Sequence, residues 1–171
     1  MEIQISSLEE MRKYLEFLLW HYRLVDALWF LKVEERFGTS EAVRMNEEIW
    51  SKIGEIAARD LKKYFNIGRG LKEFERAFRL YPWNIIISPE IVVEEDRMMF
   101  KVPHCPPQEA RVKHGLGEFP CKTMHVKELT NFARVIDPNL KVICKYAPPD
   151  PHPENIWCEW EIKTTKNSEE V

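Results

Sequence analysis

The spacing of apolar residues changes once along the chain, near Pro82, and this change constrains the fold more than any other feature. Before it, apolar residues recur every three to four positions, which predicts amphipathic helices. After it, short β-branched runs alternate with proline and turn residues, which is typical of strands. The sequence therefore predicts an α+β protein in which helices come first and β-hairpins follow.

Three helices are predicted before Pro82. Ser7 is followed three positions later by a glutamate, which is the spacing of a capping box, so a first helix should run from about Leu8 to Phe37. Gly38 is a natural end for this helix, and Thr39 or the serine after it begins a second one. We expect the two long helices to form an antiparallel hairpin, with a short third helix over residues 71–80.

The second half is predicted to form a small antiparallel sheet around one helix. Its prolines at 103, 106 and 107 should force an extended loop, because proline lacks the N–H that a strand or helix interior needs. The expected strands are residues 85–87, 91–94, 97–102, 140–146 and 156–164, and the expected helix is residues 126–136.

Length and composition favour one compact domain. The chain has 171 residues, of which 44% are hydrophobic, and this is enough for a sizeable core. The predicted domain covers residues 1–165, with a helical half over 7–81 and a β-rich half over 83–165. Residues 166–171 are expected to be a frayed tail.

Charge and hydropathy argue against several classes of partner. The net charge is −3, so no basic field attracts nucleic acid or an anionic membrane. The N-terminus lacks a basic start followed by an apolar run, and the densest apolar stretch, residues 17–33, is too polar to span a bilayer. We expect a cytoplasmic protein with a small-molecule ligand. The sequence is compatible with a monomer or a homodimer.

All four cysteines lie after residue 104, at Cys105, Cys121, Cys144 and Cys158. In a cytosolic protein thiols stay reduced, so we expect the cysteines to form a metal site or a reactive thiol rather than a set of disulfides. A further alternative is that they are small buried core residues. High charge with only two glutamines favours a thermophilic source, in which intracellular disulfides do occur.

The last predicted hairpin brings two cysteines together. A loop centred near Pro151 places Cys144 directly across from Cys158, where facing Cβ atoms are about 4.5–5.5 Å apart. The two thiols would share a core-facing side of the sheet, because alternate residues of a strand point to the same side. The other residues expected on that side are Val142, Tyr146, Ile156, Trp160 and Ile162.

Cys105 and Cys121 lie in proline-bordered loops, and loops on a rigid scaffold often carry chemistry. Cys121 and His125 have a C-x-x-x-H spacing that can serve one metal, and tetrahedral zinc accepts both residue types. Since the chain has no C-x-x-C motif, the fold must assemble any such site. The predicted ligands are Cys105, Cys121, Cys144, Cys158 and His125.

Positive charge surrounds the first two cysteines. His125 follows Cys121 by one helical turn, and a helix N-terminus there would lower a nearby thiol pKa and attract anions. Arg111, Lys113 and Lys122 are the predicted ligand-binding residues, which could orient a carboxylate or phosphate. The alternative is that these charges only solvate a loop.

Five stretches carry a resemblance to a known family. They are VDALWFLKVEERFG (25–38), CPPQEAR (105–111), GLGEFPC (115–121), IDP (136–138) and PPDPHPENIWCEW (148–160). Together they resemble the DUF6125 proteins of archaea and anaerobic bacteria over most of the chain, a resemblance that implies a fold but no activity.

A more remote similarity concerns the loop cysteines and the closing strand. A Cys-Pro loop, a second loop cysteine and a Cys-x-aromatic strand are similar to the 2-amino-thiazoline-4-carboxylate hydrolase-like family, and more weakly to small-molecule-binding domains of vinyl-reductase type. This similarity implicates Cys105, Cys121 and Cys158. Ala147 stands where members of the family often have another cysteine, which is a departure from the pattern.

Two functions from different classes follow. The first is a small-molecule-binding domain, with a sensory role left open, that has a cysteine-clustered zinc site and a pocket for an anionic or partly apolar ligand. The second is a thiol-dependent hydrolase of a cyclic C–N bond, in which Cys105 or Cys121 is the nucleophile and His125 or His104 the base, while Arg111 binds a carboxylate. We prefer the first, because spacing alone does not bring a nucleophile, a base and an orienting group together.

Overall fold

The structure, a computed structural model, describes residues 4–165. The chain separates into two compact units, one up to Ala42 and one from Val43 onward. The single domain expected over residues 1–165 therefore stays a prediction. The tail expected at 166–171 lies outside the described residues.

Helix α1, Leu8–Phe37, makes up most of the first unit. Its Ser7 cap accepts a hydrogen bond from the backbone N–H of Glu10 at 3.1 Å, as the capping-box spacing predicted. Gly38 ends the helix with φ +83, a conformation that suits glycine, and donates its N–H to the Glu34 carbonyl. Helix α2, Thr39–Phe65, begins directly afterwards and continues into the second unit.

The second unit contains the sheet. Its four strands run in the order β1-β2-β4-β3, and every neighbouring pair is antiparallel. This arrangement confirms the α+β prediction, with helices before the sheet. The elements after α2 are α3 Leu71–Leu80, α4 Pro82–Ile87, β1 Glu90–Val93, β2 Arg97–Val102, α5 Pro106–Lys113, α6 Lys122–Ile136, β3 Leu140–Tyr146 and β4 Cys158–Thr164.

Two segments that were expected to be extended are helices. Residues 85–87 belong to α4, which begins at Pro82, and Pro106 begins α5 with Cys105 as its N-cap residue. Proline is well suited to the first helical turn, because its φ already fits and the missing N–H has no intrahelical partner there. The extended-loop prediction was wrong from Pro106 onward, because this proline starts a helix rather than interrupting one, whereas residues 103–105 lie outside the helices and strands.

Helix α6 also begins four residues earlier than expected, with Cys121 at its N-cap position. It packs, together with α3, against the sheet. The rings of Phe74 on α3 and Phe132 on α6 lie 5.8 Å apart, and Phe78 lies 4.7 Å from Phe100 on β2. Phe100 in turn stacks on Trp160 of β4 at 6.3 Å, so the core holds α6 firmly against the central strands.

Helix α2 approaches the other side of α6 closely. A Cβ atom built on Gly54 would lie only 2.6 Å from the carbonyl oxygen of Glu128, so only glycine fits at this contact. Nearby, the side-chain amide of Asn131 donates to the Ser51 hydroxyl at 2.9 Å. The middle of α6 is thereby held between α2 and the sheet.

The register of the last hairpin differs from the prediction. Cys144 lies opposite Trp160, and Cys158 pairs with Val102 on β2. The prediction of directly opposed cysteines was therefore wrong. Because Trp160 and Cys158 are two residues apart on one strand, Cys144 and Cys158 still lie on the same side of the sheet, in a diagonal relationship.

A bulge between Cys144 and Tyr146 explains the remaining differences. An extra residue in one strand reverses the side on which the following residues lie. Tyr146 consequently pairs with Glu159, and its hydroxyl donates to the Glu159 carboxylate at 3.1 Å instead of joining the core-facing residues. Ile156, also expected on that face, precedes the strand.

Candidate functional site

The four cysteines converge near the start of α6 although they come from four different elements. Cys105 and Cys121 are the N-cap residues of α5 and α6, Cys144 lies on β3, and Cys158 is the first residue of β4. A negative charge on Cys121 would raise the pKa of each of the other three thiols, so all of them lie within its electrostatic reach. The fold thus brings together the four predicted cysteines.

A buried glutamine supports Cys121. The side-chain amide of Gln108, which is 1% exposed, donates to the Phe119 carbonyl at 2.7 Å and to the Cys121 sulfur at 3.4 Å. Its oxygen accepts a hydrogen bond from the Phe119 N–H at 2.8 Å. Gln108 therefore fixes both the loop before α6 and the thiol at the start of that helix.

His125 connects this thiol to a buried carboxylate. Its ring forms a hydrogen bond with Cys121, and its Nδ1 lies 2.8 Å from Glu128 Oε2. The other Glu128 oxygen accepts a hydrogen bond of 2.6 Å from the Tyr81 hydroxyl. Since positions i, i+4 and i+7 lie on one face of a helix, α6 itself aligns Cys121, His125 and Glu128.

The environment of His125 favours its charged form. Burial lowers the pKa of the ring, but the hydrogen bonds and negative charge of Cys121 and Glu128 outweigh it and raise this pKa to about 10. An imidazolium donates from both nitrogens, so His125 can serve Glu128 and the Cys121 sulfur at the same time. His125 is therefore positively charged at neutral pH.

The other three thiols are protonated at neutral pH. Burial raises the pKa of Cys105 to about 12 and that of Cys144 to about 11, and it also raises the pKa of Cys158. Cys105 shows that an N-cap position does not by itself lower a thiol pKa, because burial outweighs the helix terminus here. As free thiols, these three residues are poor nucleophiles.

The predicted metal ligands match zinc in their donor chemistry. They offer thiols and an imidazole whose Nδ1 is held by a carboxylate, which is the usual support of a metal-binding histidine. Within residues 4–165, however, no three histidine, cysteine or acidic side chains are arranged so that they could hold a metal ion together. The zinc site stays a prediction.

The predicted ligand-binding residues have different partners. Arg111 is buried and donates to two carbonyls of the following loop, each 3.3 Å away. Lys122 forms an ion pair of 2.7 Å with Asp150, whereas Lys113 is exposed. Ligand binding by these three side chains stays a prediction.

The three other histidines of the C-terminal half are exposed or lie near carboxylates. His104 is exposed and lies 3.5 Å from Glu109, and His114 is exposed at the end of α5. His152 Nε2 lies 3.4 Å from a Glu118 oxygen. His104, the alternative base, is therefore turned towards a carboxylate in this arrangement.

A shallow, open groove runs between α2 and α6, and none of the four cysteines lines it. Its surface is mostly charged, which makes it unlike a pocket for a partly apolar ligand. The lining residues are Glu47, Glu48, Ser51, Lys52, Glu55, Lys127 and Asn131.

Sequence reasoning missed Gln108, Glu128 and Tyr81. Glu128 had a usable signal, because it follows His125 by three positions and so shares its helix face. The helix was expected over residues 126–136 with His125 near its N-terminus, and Glu128 was not considered as a partner of that histidine. Tyr81 had no such signal, since 47 positions separate it from Glu128.

Comparison with solved structures supports the fold alone. A crystal structure of trafficking protein particle complex subunit 3 from Naegleria fowleri, covalently bound to palmitic acid, is similar with a TM-score of 0.50. The alignment covers 91% of this chain and 97% of that one, at 9% sequence identity. Among the described residues, no helix is both long and apolar enough to cross a membrane.

Comparison of the sequence with known families identifies the family of this chain. No curated protein matches the chain. The similarities to the hydrolase-like family and to vinyl-reductase-type domains stay predictions. A family described as "Family of unknown function (DUF6125)" matches residues 7–164, and the chain therefore belongs to the DUF6125 family.

Proposed function

We propose that this protein is a small-molecule-binding domain with a cysteine-clustered metal site, and that zinc is the ion it takes. The observation that supports the proposal is the convergence of four thiols from four elements around Cys121. Burial and mutual repulsion disfavour the thiolates of Cys105, Cys144 and Cys158. A divalent cation reverses this balance, because a coordinated thiol is deprotonated outright.

The surroundings of His125 also support a metal. A metal-binding histidine almost always gives its second ring nitrogen to a carboxylate, a carbonyl or water. Glu128 provides that carboxylate, and Tyr81 holds it in place. Because a cysteine sulfur is positioned by a single side-chain torsion, rotation about χ1 can redirect the thiols without moving the backbone.

The ligand of the proposed domain is small and anionic or partly apolar. Positive charge from the N-terminus of α6 and from the half-buried Lys122 lies at the same end of that helix, and a bound zinc ion would add to it. An anionic group would compete with Asp150 for Lys122. We expect ligand affinity to fall when Lys122 is neutralised, and less so when the exposed Lys113 is.

Metal analysis of the untagged chain tests the site. After expression with zinc in the medium, we expect about one zinc ion per chain in the wild type and a clear loss in a Cys121→Ser variant. The exposed His114→Ala variant is the matched control and should keep its metal. Chelation should lower the melting temperature, since binding free energy is also folding free energy. The proposal would be wrong if the purified protein contained no zinc and chelators left its melting temperature unchanged.

A second candidate function rests on the series Cys121, His125 and Glu128. A nucleophile, a proton donor and an orienting carboxylate in hydrogen-bonded order are what thiol-dependent hydrolysis requires. In that reaction the Cys121 sulfur bonds to the substrate carbon, the cyclic C–N bond breaks, and the nitrogen takes a proton from His125. Water then releases the product and restores the thiol.

Alkylation separates the two candidates. For the metal site, Cys121 should resist iodoacetamide in the native protein and become reactive after chelation, whereas the buried Cys105 and Cys158 should react only when chelation has also loosened the fold. For the hydrolase, Cys121 should be labelled rapidly in metal-free protein that melts at an unchanged temperature, and His125→Ala should slow the labelling. Mass spectrometry of the labelled peptides distinguishes these outcomes.

A further inference from the structure

The loop between β3 and β4, residues 147–157, is attached to the chain directly after Cys121. Its Pro148 carbonyl accepts a hydrogen bond of 3.0 Å from the Lys122 N–H, and its Asp150 carboxylate lies 2.7 Å from the Lys122 Nζ. Both contacts hold the loop at the start of α6, whose N-cap residue is Cys121. We call residues 147–157 the cover loop.

The cover loop is also attached to the chain before Cys121. The Nε2 of His152 lies 3.4 Å from a Glu118 oxygen, and its Nδ1 lies 3.0 Å from the Pro153 carbonyl oxygen. The His152 side chain is only 12% exposed, and its ring lies 5.3 Å from that of Trp157. The histidine is therefore packed within the loop and directed at the segment that precedes the thiol.

The ends of the cover loop are fixed more firmly than its middle. Ala147 and Pro148 are fully buried, and at the other end the Trp157 N–H donates to the Val102 carbonyl of β2 at 2.9 Å. Residues 149–156 are exposed or half-buried, and side-chain ion pairs hold them to the segment around Cys121. Exposed ion pairs are weak, so the middle of the loop is the part that opens at the lowest cost.

We propose that the middle of the cover loop shields Cys121, and that the ion pair between His152 and Glu118 holds the loop closed until the histidine loses its proton. Cys121 is 6% exposed under this arrangement. The contact between Lys122 and Asp150 does not respond to pH in the same range, because their hydrogen bond raises the pKa of the lysine and lowers that of the aspartate. The regulatory role rests on the proposed function, since access to Cys121 matters only if this thiol binds a metal or reacts.

The surroundings of His152 set the direction of the pH response. The Pro153 carbonyl and the Glu118 carboxylate raise the pKa of the ring above its usual 6.5, although burial lowers it. Glu118 is the charged group that faces this ring within the described part of the chain, and its other neighbours are the Ile156 carbonyl and the Trp157 ring. The ion pair is therefore complete below pH 6.5 and is lost as the pH rises through the raised pKa.

The rate at which Cys121 is labelled in the metal-free full chain tests the proposal. The reagent is dithiodipyridine, which reacts with thiols in acid, and mass spectrometry of the labelled peptides follows Cys121 alone. At about pH 5.5 we expect a His152→Gln variant to be labelled about two- to five-fold faster than the wild type, the range that a surface ion pair supplies. At about pH 9 the two rates should converge, because His152 of the wild type is then neutral.

A purely electrostatic effect of His152 on the thiol has the opposite sign. Removal of a nearby imidazolium disfavours the thiolate, so without a shielding loop His152→Gln would slow the labelling in acid. Glu118→Gln should accelerate it as His152→Gln does, and the double variant should be no faster than either single one, because both substitutions break the same pair. Glu154→Gln, at an exposed position of the same loop, is the matched control and should react like the wild type.

Hydrogen exchange provides a measurement that needs no thiol reagent. At about pH 5.5 the Lys122 N–H, which is bonded to Pro148, should exchange faster in His152→Gln than in the wild type. Slower or unchanged labelling of this variant in acid, an acceleration that persists at about pH 9, or additive effects of the two single substitutions would each overturn the proposal. Because these measurements use metal-free protein, they succeed or fail separately from the zinc analysis.

Discussion

Tyr81 and Glu128 form a buried hydrogen bond of 2.6 Å that joins the start of α4 to the middle of α6. The carboxylate also meets His125 at 2.8 Å, so the bond fixes the group that orients the histidine. Glu128 is 3% exposed, which makes each of its partners important, since a buried carboxylate is costly unless it is fully hydrogen-bonded. This relationship links the stability of the fold to the geometry of the candidate site.

Replacing Tyr81 by phenylalanine should therefore destabilise the protein. The ring still packs 5.4 Å from Phe132, and the hydrogen bond to the Glu128 carboxylate is lost. We expect the free energy of unfolding to fall by about 1.5–3 kcal/mol in urea titration. Tyr64→Phe, at a 73% exposed position, is the control and should change it little. An equal effect of both substitutions would contradict the role given to Tyr81.

The pKa of His125 should depend on Glu128. We expect an imidazole pKa of about 10 in NMR titration of the metal-free protein, and a clear decrease in a Glu128→Gln variant, because the amide no longer attracts the imidazolium. His152, which lies elsewhere, serves as an internal reference and should not respond. An unchanged His125 pKa would show that the carboxylate does not orient the ring.

The same pKa predicts how stability varies with pH. The folded state holds the His125 proton more tightly than the unfolded chain, whose pKa is near 6.5, so this contribution is complete below pH 6.5 and is lost as pH rises towards 10. The buried thiols act in the same direction, but only above about pH 9. Urea unfolding between pH 6.5 and about pH 8.5 should therefore show decreasing stability in metal-free protein, and His125→Gln should flatten the dependence.

Gly54→Ala should be destabilising because of the close approach of α2 to α6. The added methyl group would lie 2.6 Å from the Glu128 carbonyl oxygen, and backbone cannot yield as a side chain does. We expect a loss of about 1–3 kcal/mol in the free energy of unfolding. Gly68→Ala meets only the Glu73 side chain at 3.4 Å, so this control should be close to neutral. A neutral Gly54→Ala variant would mean that α2 and α6 can separate at little cost.

Gln108→Leu should disturb the loop before Cys121. The substitution leaves the buried Phe119 N–H without its present partner, which costs about 1–3 kcal/mol, while the Phe119 carbonyl keeps the hydrogen bond from the Cys121 N–H at 2.8 Å. Cys121 should then react faster with thiol reagents than in the wild type. Gln4→Leu, at an exposed position, is the control for the loss of an amide and should affect neither measurement.

The long helices could be predicted because their signals are local. The Ser7 cap, the apolar spacing and Gly38 each act within a few residues, and α1 begins and ends where they indicate. The candidate pair Cys121 and His125 was also within reach, since both lie on one turn of one helix. The family resemblance is confirmed for the same reason, because its motifs are contiguous in the sequence.

The roles of the prolines and the register of the strands could be determined only from the tertiary structure. Pro82 and Pro106 are each compatible with the end of a regular element or with the first turn of a helix. Which of the two forms depends on whether the residues that follow can pack against the rest of the protein. The hairpin register depended on β2, because β4 lies between β2 and β3 and its Cys158 is paired with Val102. A bulge between Cys144 and Tyr146 then shifts the pairing of β3 with β4, and the length of the turn does not predict this bulge.

The sequence by itself determined which residues are available for chemistry, namely four thiols and a histidine, and on which kinds of element most of them lie. Only the tertiary structure decided that Cys105, Cys144 and Cys158 approach Cys121, and that Gln108, Glu128 and Tyr81 support it. The physical reason is that periodicity and capping act over one or two turns, whereas the core that brings α3, α6 and the sheet together depends on side chains far apart in the chain.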